Sequence, residues 1–325
     1  MRAYIIRRLL LVIPTLFVVS LVIYILIQLV PGDVIDAMRV SGGDIPADRA
    51  LLERQLGLDA PAFIQYGRWM GFLPQMDGSF SGVFQGNLGW SFFQRQPVLK
   101  LVGMAGPITL ELALMALIIS QLIALPIGIY SALRQDKWGD YIGRSVAILC
   151  ISVPDFWLAT LIIIFPAIWW DYMPPIMLIK FTDDPIGNLR MFIIPAIILG
   201  MAFAGIIMRM TRTMMLEVLR QDYIRTAWAK GLRERVVVMR HTLKNALIPV
   251  VSTIGVQVPF LIGGTVIIEQ IFCLPGMGRL VINALISRDK FLVCGIVLIF
   301  ALLLTLVNLV IDLTYGFLDP RVHFK

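Results

Sequence analysis

The stretch from Tyr223 to Pro249 reads YIRTAWAKGLRERVVVMRHTLKNALIP. It sets Arg225, Lys230, Arg233, Arg235, Arg240 and Lys244 among good helix formers, in a chain that is otherwise strongly apolar. EVLRQDYIRTAWAK (Glu217 to Lys230) reads as a helix that stops at Gly231. RERVVVMRHTLKNAL (Arg233 to Leu247) reads as a second helical piece running toward Pro249. In that second piece Val236, Val237, Met239, Leu243 and Ala246 recur near helical spacing, with basic residues between them. The pattern is helix, glycine turn, helix. A basic amphipathic pair of this kind either rests on anionic lipid head groups or docks on a partner.

Outward from this stretch the chain turns apolar on both sides. Of 325 residues 58% are hydrophobic and 15% charged, and the apolar residues gather in long runs. A hydrocarbon core roughly 30 Å thick takes about 20 apolar helical residues to cross. Six stretches qualify, near 9–30, 107–133, 142–170, 191–208, 246–272 and 291–318. The expected fold is an all-α membrane protein with six transmembrane helices and both termini on one side. With a cytoplasmic N-terminus, the inner segments carry 17 Lys and Arg in 63 positions and the outer ones 11 in 114. The positive-inside bias therefore predicts that orientation and puts the basic stretch in the cytoplasm. The net charge of +7 is then a topology signal, not the mark of a nucleic-acid partner.

The expected layout is a cytoplasmic N-terminus and first span (1–30), an external segment (31–106), a five-span core (107–320) containing the basic loop 217–247, and a cytoplasmic tail (321–325). Arg7-Arg8 precedes an apolar run of about 22 residues without a small-x-small cleavage site, so a retained span is expected and not a signal peptide. In the external segment, DIPADRALLERQLGLD predicts a short helix with Asp44 near its cap, Pro46 in its first turn and Gly57 at its end. GNLGWSFFQRQPV (Gly86 to Val98) reads as a glycine-punctuated loop with exposed aromatics, part of a folded cap or a docking surface. Pro126, Pro154, Pro166, Pro195 and Pro259 fall inside spans, where each removes a hydrogen bond and favours a kink. Cys150, Cys273 and Cys294 follow no ligand spacing and read as packing thiols.

The chain shows no machinery for catalysis. It has no G-x-x-x-x-G-K-[ST] phosphate cradle and no H-E-x-x-H. Its two histidines are His241 in the basic loop and His323 in the tail, so Ser81 and Ser91 lack a base on their own side. Four acids lie in or near spans. Glu111, Glu269 and Asp312 fall near span ends, where water or a basic neighbour can satisfy them, whereas Asp155 follows Pro154 near the middle of the third span, a candidate for lining a pathway as well as for a structural role.

The basic stretch resembles the EAA loop of ATP-binding-cassette (ABC) importer permeases. Anchored on Gly231, the Glu-Ala-Ala triplet falls on Arg225, Thr226 and Ala227, and the Leu-Pro pair on Leu243 and Lys244. Arg225, Thr226, His241 and Lys244 depart from that general pattern, while DYIRTAWAKGL with RHTLKNALIP is similar to the variant in the dipeptide, oligopeptide and nickel importer family. Further matches are YIIRRLLLVIPTLFVVSLVIYILIQLVPGD, GNLGWSFFQRQPV, EQIFCLPGMGRLVINAL (Glu269 to Leu285) and NLVIDLTYGFLDPR (Asn308 to Arg321). The long segment after the first span points to the first of that family's two permease types.

This resemblance implies a type I importer fold in the inner membrane. Implied partners are a homologous second permease, two cytoplasmic ATP-binding subunits and an external solute-binding protein. ATP and Mg would sit on the ATP-binding subunits, with no cofactor in this chain. Arg225, Thr226, Ala227, Gly231, Arg233, Arg235 and Leu243 would form the coupling element. Di- or oligopeptides are the expected cargo, with nickel or a nickel chelate as the alternative. An ion-coupled secondary transporter would show paired broken helices in two related halves, which this sequence does not. A membrane-bound hydrolase lacks its constellation.

Overall fold

Helices make up nearly all regular structure among the described residues, which in this computed structural model are 2–40, 49–171, 175 and 177–318. They are α1 (Arg2–Gln28), α2 (Val34–Val40), α3 (Arg49–Leu56), α4 (Ala62–Met70), α5 (Val98–Leu133), α6 (Trp138–Ser152), α7 (Asp155–Trp170), α8 (Pro185–Leu219), α9 (Asp222–Ala229) and α10 (Glu234–Val236). A π-helical turn, Val237–Thr242, then leads into α11 (Leu243–Ile271), followed by α12 (Met277–Ile286) and α13 (Lys290–Leu318). Two short strands, β1 (Trp90–Ser91) and β2 (Gln96–Pro97), pair antiparallel.

Among the described residues five helical stretches are long and apolar enough to cross a membrane: Ile6–Gln28, Val98–Leu133, Pro185–Leu219, Glu234–Ile271 and Lys290–Leu313. The pair α6 and α7 is apolar enough when taken together but is bent by 91°, the form of a broken sixth span or a re-entrant loop. The single helix expected over 142–170 is thus broken, and the cause is local. Pro154 lacks an N–H and restricts the residue before it to extended conformations, and Val153 has φ −85° and ψ 120°. Asp155 consequently lies in the first turn of α7, at the break itself. The start of α8 follows the sequence more simply: Asp184 accepts from the N–H groups of Ile186 and Gly187 at 3.1 and 3.0 Å, with Pro185 at the first helical position.

The chain divides into two compact units, one holding residues up to Ile108 with Pro275–Leu306, the other Thr109–Leu274 with Val307 onward. In the first unit Tyr24, Trp69, Leu88, Val98, Leu101, Met277, Leu292 and Cys294 share one core. The segment after α1 is folded onto this core. Trp69 Nε1 donates to Leu88 O at 2.9 Å, and Arg49 reaches Asp33, Asp36 and Glu53 at 2.7, 2.7 and 2.6 Å. A backbone hydrogen bond from Asp33, with the Arg49 guanidinium, holds the Asp36 carboxyl below its usual range. Helix α3 ends at Gly57 (φ +67°) as expected, while its expected start at Asp44 and Pro46 lies outside the described residues. The stretch GNLGWSFFQRQPV holds the β1–β2 hairpin, with Trp90 and Phe93 exposed and Phe92 against Phe291. Fully buried Asp289 fastens it, accepting from Ser91 Oγ at 2.6 Å and Phe93 N at 3.2 Å. Burial pushes that carboxyl above its ordinary value, and the hydrogen bonds oppose the shift.

In the second unit Ala124, Ala147, Cys150, Ala204, Ile207, Met208 and Val250 form a core around α8. Small residues set the packing distance: a Cβ on Gly205 would lie 2.7 Å from Ala147 O. Glu269 is fully buried on α11 and accepts from Thr109 Oγ1 at 2.7 Å. Glu111 and Asp312 are half-buried on α5 and α13.

Candidate coupling hairpin

Helix α8 ends at Leu219, and after the break at Arg220 and Gln221 the chain starts α9. The eight residues of α9 turn Ile224 and Ala227 inward onto Val237, and all three are buried. The small Ala227 side chain lets α9 approach the π-helical turn. Helix α9 then closes with a pair of hydrogen bonds: Gly231 N–H donates to Trp228 O at 2.9 Å and Leu232 N–H to Ala227 O at 3.4 Å. This is the Schellman arrangement, which needs a left-handed residue at Gly231, and its φ is +73°. No atom lies within 4 Å of the position a Cβ would take there, so the demand for glycine is conformational and not steric.

Beyond the turn, Arg233 O accepts from Val236 N and Val237 N at 2.9 and 3.2 Å and starts the second arm. That arm is not the separate short helix expected, because it runs through the π turn into α11 and past Pro249. Buried Thr242 donates to Val237 O at 3.2 Å inside the turn. Leu243 packs with Ala132, Met215, Val238 and Ala246. Asn245 Nδ2 donates to Tyr223 Oη at 2.8 Å and ties the two arms together.

The sequence-selected residues therefore divide. Ala227 and Leu243 build the hairpin from within. Arg225, Thr226, Gly231, Arg233 and Arg235 are exposed. The Arg225 guanidinium lies 3.6 Å from Asp222, with both side chains largely in solvent, and Thr226 Oγ1 donates to Asp222 O at 3.0 Å. Sequence reasoning passed over Tyr223 and Trp228, which are 45% and 44% exposed on the same hairpin, and counted Met239, 56% exposed, only as part of an apolar pattern. Their signal was their type: large side chains beside arginines form the kind of mixed surface that protein partners bind.

It also missed the anchor beneath the hairpin. Arg212 on α8 grips fully buried Asp140 on α6 with two bonds, Nε to Oδ1 at 2.6 Å and Nη2 to Oδ2 at 2.7 Å. Ser131 Oγ on α5 and Asp136 N add two more donors. Three elements are thereby pinned about two turns before α8 gives way to α9. Asp155, the pathway candidate, is half-buried, and its Oδ1 accepts from Phe156 N at 2.8 Å.

Apolar spans and an exposed basic hairpin on a pinned helix define a class, the polytopic membrane protein. Comparison with known proteins supplies the family. Residues 124–324 match the model described as binding-protein-dependent transport system inner membrane component, and residues 1–113 match its N-terminal counterpart. The chain is 36% identical to the dipeptide transport system permease protein DppB of Escherichia coli, covering all of both chains. It is 34% identical to the glutathione transport system permease protein GsiC of Salmonella paratyphi A, over 99% of each. Among solved structures, the MetNI methionine ABC transporter matches with a TM-score of 0.54 at 16% identity, over 67% of this chain and 96% of that one. An amino acid ABC transporter matches with a TM-score of 0.52 at 14% identity, over 69% and 95%.

The chain belongs to the family of binding-protein-dependent transport system inner membrane components. It is a permease subunit of an ABC importer, and ATP hydrolysis is the work of other subunits.

Proposed function

We propose that this permease carries di- or oligopeptides, with its N-terminus in the cytoplasm and the hairpin of α9 and the π turn docked on an ATP-binding subunit. The cargo reading is supported by the names of full-length relatives, which specify dipeptide and glutathione transport, and these favour peptides over the nickel alternative. The orientation is supported by the bias of Lys and Arg. In this reading a homologous second permease completes the pathway, two ATP-binding subunits meet the two hairpins, and a solute-binding protein delivers cargo to the external segment.

The observation that carries the coupling role is the hairpin's construction. Its inner face is a sealed apolar cluster, Ile224, Ala227 and Val237, and its outer face presents Arg225, Trp228, Arg233 and Arg235 to solvent. Such an element moves as a unit and transmits displacement through α8 and α11 to the spans. Asp155, in the same proposal, faces the pathway at the α6–α7 break and attracts a peptide amine by Coulomb force.

Replacing Gly231 tests the coupling role. Valine in a left-handed conformation costs about 1–2 kcal/mol, enough to reset the turn but too little to unfold the chain. Gly231→Val should insert normally, lose attachment of the ATP-binding subunits in pull-down and lose uptake. Undiminished attachment and uptake would remove the coupling role.

A further inference from the structure

The second unit has a cavity of about 200 Å³ bounded by α5, α6 and α8. Its walls are apolar along most of their length, with Ile127, Ile148, Ile151 and Met208. At the end nearest the Asp140–Arg212 anchor it is lined by Arg144 and Arg209 as well as Arg212. The charges there do not balance. Asp140 spends both oxygens on Arg212, and Arg144 stands 3.6 Å off as a second, more distant cation. Arg209 is exposed and has no acidic partner among the described residues. The helices order this polarity: Arg144 precedes Ile148 and Ile151 by one and two turns on α6, and Ile151 meets α8 at Gly205, two turns before Arg212.

We propose that this cavity is a binding site for one anionic phospholipid from the leaflet on the hairpin side of the membrane. The phosphate sits between Arg144 and Arg209, and one acyl chain lies along Ile148, Ile151 and Met208. A basic end joined to an apolar groove matches an anionic head group joined to a chain, and cationic pockets between spans near the membrane surface are suited to such lipids. Tyr141 supports the arrangement by placing its ring 4.7 Å from the Arg144 guanidinium, and Trp138 is 83% exposed at the start of α6, where interfacial aromatics sit. The bound lipid would brace α8 directly above the hairpin. The site itself does not depend on the proposed coupling role.

Native mass spectrometry of the purified, delipidated complete transporter tests the site, with dioleoyl phosphatidylglycerol and dioleoyl phosphatidylcholine added in parallel. Wild type should retain one phosphatidylglycerol at concentrations where phosphatidylcholine does not bind. Arg209→Gln, a change at an exposed side chain outside the ion pair, should weaken retention about tenfold, the loss of one charge-assisted hydrogen bond. Ile148→Trp should weaken it by filling the groove. Deacylated glycerophosphoglycerol should not displace the lipid at equal concentration. Gly231→Val should keep its lipid while losing the ATP-binding subunits, which separates this proposal from the coupling role. Equal retention of the two lipids, unchanged retention in Arg209→Gln, or displacement by the deacylated head group would overturn the proposal.

Discussion

Two Arg–Asp pairs in the second unit, Arg212 with Asp140 and Arg225 with Asp222, have the same chemistry and opposite circumstances. Asp140 is fully buried and its partner's side chain 19% exposed, with bonds of 2.6 and 2.7 Å and two further donors. The Asp222 and Arg225 side chains are 96% and 77% exposed and 3.6 Å apart. A buried, bidentate pair resists removal of either partner because the other is left charged and dry. A solvated pair is screened and contributes little to the fold. The first pair fixes where α8 delivers the hairpin, whereas the second leaves a guanidinium available to a partner. Coupling of this kind needs both: a rigid base and an uncommitted surface.

The largest effect should come from breaking the buried pair. Asp140→Ala strands Arg212 beside Arg144, and should cost about 3 kcal/mol, the low end for such pairs because Arg212 reaches solvent. The measurement is thermal unfolding of the purified protein in detergent, and a loss of stability no larger than that of a surface substitution would break the comparison.

A smaller, pH-dependent effect should come from Asp289 in the first unit, a buried acid whose partners are hydroxyl and backbone donors, with no Arg to pair it among the described residues. Its carboxyl sits above the ordinary value in the fold, so its ionisation opposes folding. That contribution to stability is fully present below the unfolded value and is lost as pH rises through the folded one. Relative to Asp289→Asn, wild type should therefore gain stability as pH falls from 7 toward the unfolded carboxylate value of about 4. A relative loss over that window would assign Asp289 the behaviour of a paired carboxylate such as Asp140.

The smallest effect on stability should be at the exposed pair. Arg225→Ala should leave thermal unfolding unchanged while weakening attachment of the ATP-binding subunits, more at low salt than at high salt. A clear fall in unfolding temperature would mean the exposed pair is structural after all.

What the sequence revealed follows from the range of each interaction. Apolar runs are local, so the spans could be read directly, and the Gly231 turn was visible because a left-handed helix end has a residue signature. Pro154 was read as a kink within one span. The 91° break also depends on Val153 being held extended while Asp155 begins a new helix, and composition alone does not fix the size of such a bend. Contacts between distant residues left no trace: Asp140 and Arg212 are separated by 72 positions, and Thr109 and Glu269 by 160. For the candidate site, the basic residues were legible by type. The inward turn of Ala227 was not, because the register of α9 is set by its packing on Val237.

In the proposed coupling role, the exposed face of the hairpin is the contact with the ATP-binding subunit. A photo-crosslinking residue placed at Trp228, in the assembled transporter in native membranes, tests this contact, with Phe84, exposed on the segment between α1 and α5, as the comparison position. Position 228 should crosslink to the ATP-binding subunit, Gly231→Val should abolish that crosslink, and position 84 should give none. Crosslinks from position 228 to lipid alone, or to the ATP-binding subunit from both positions, would contradict it.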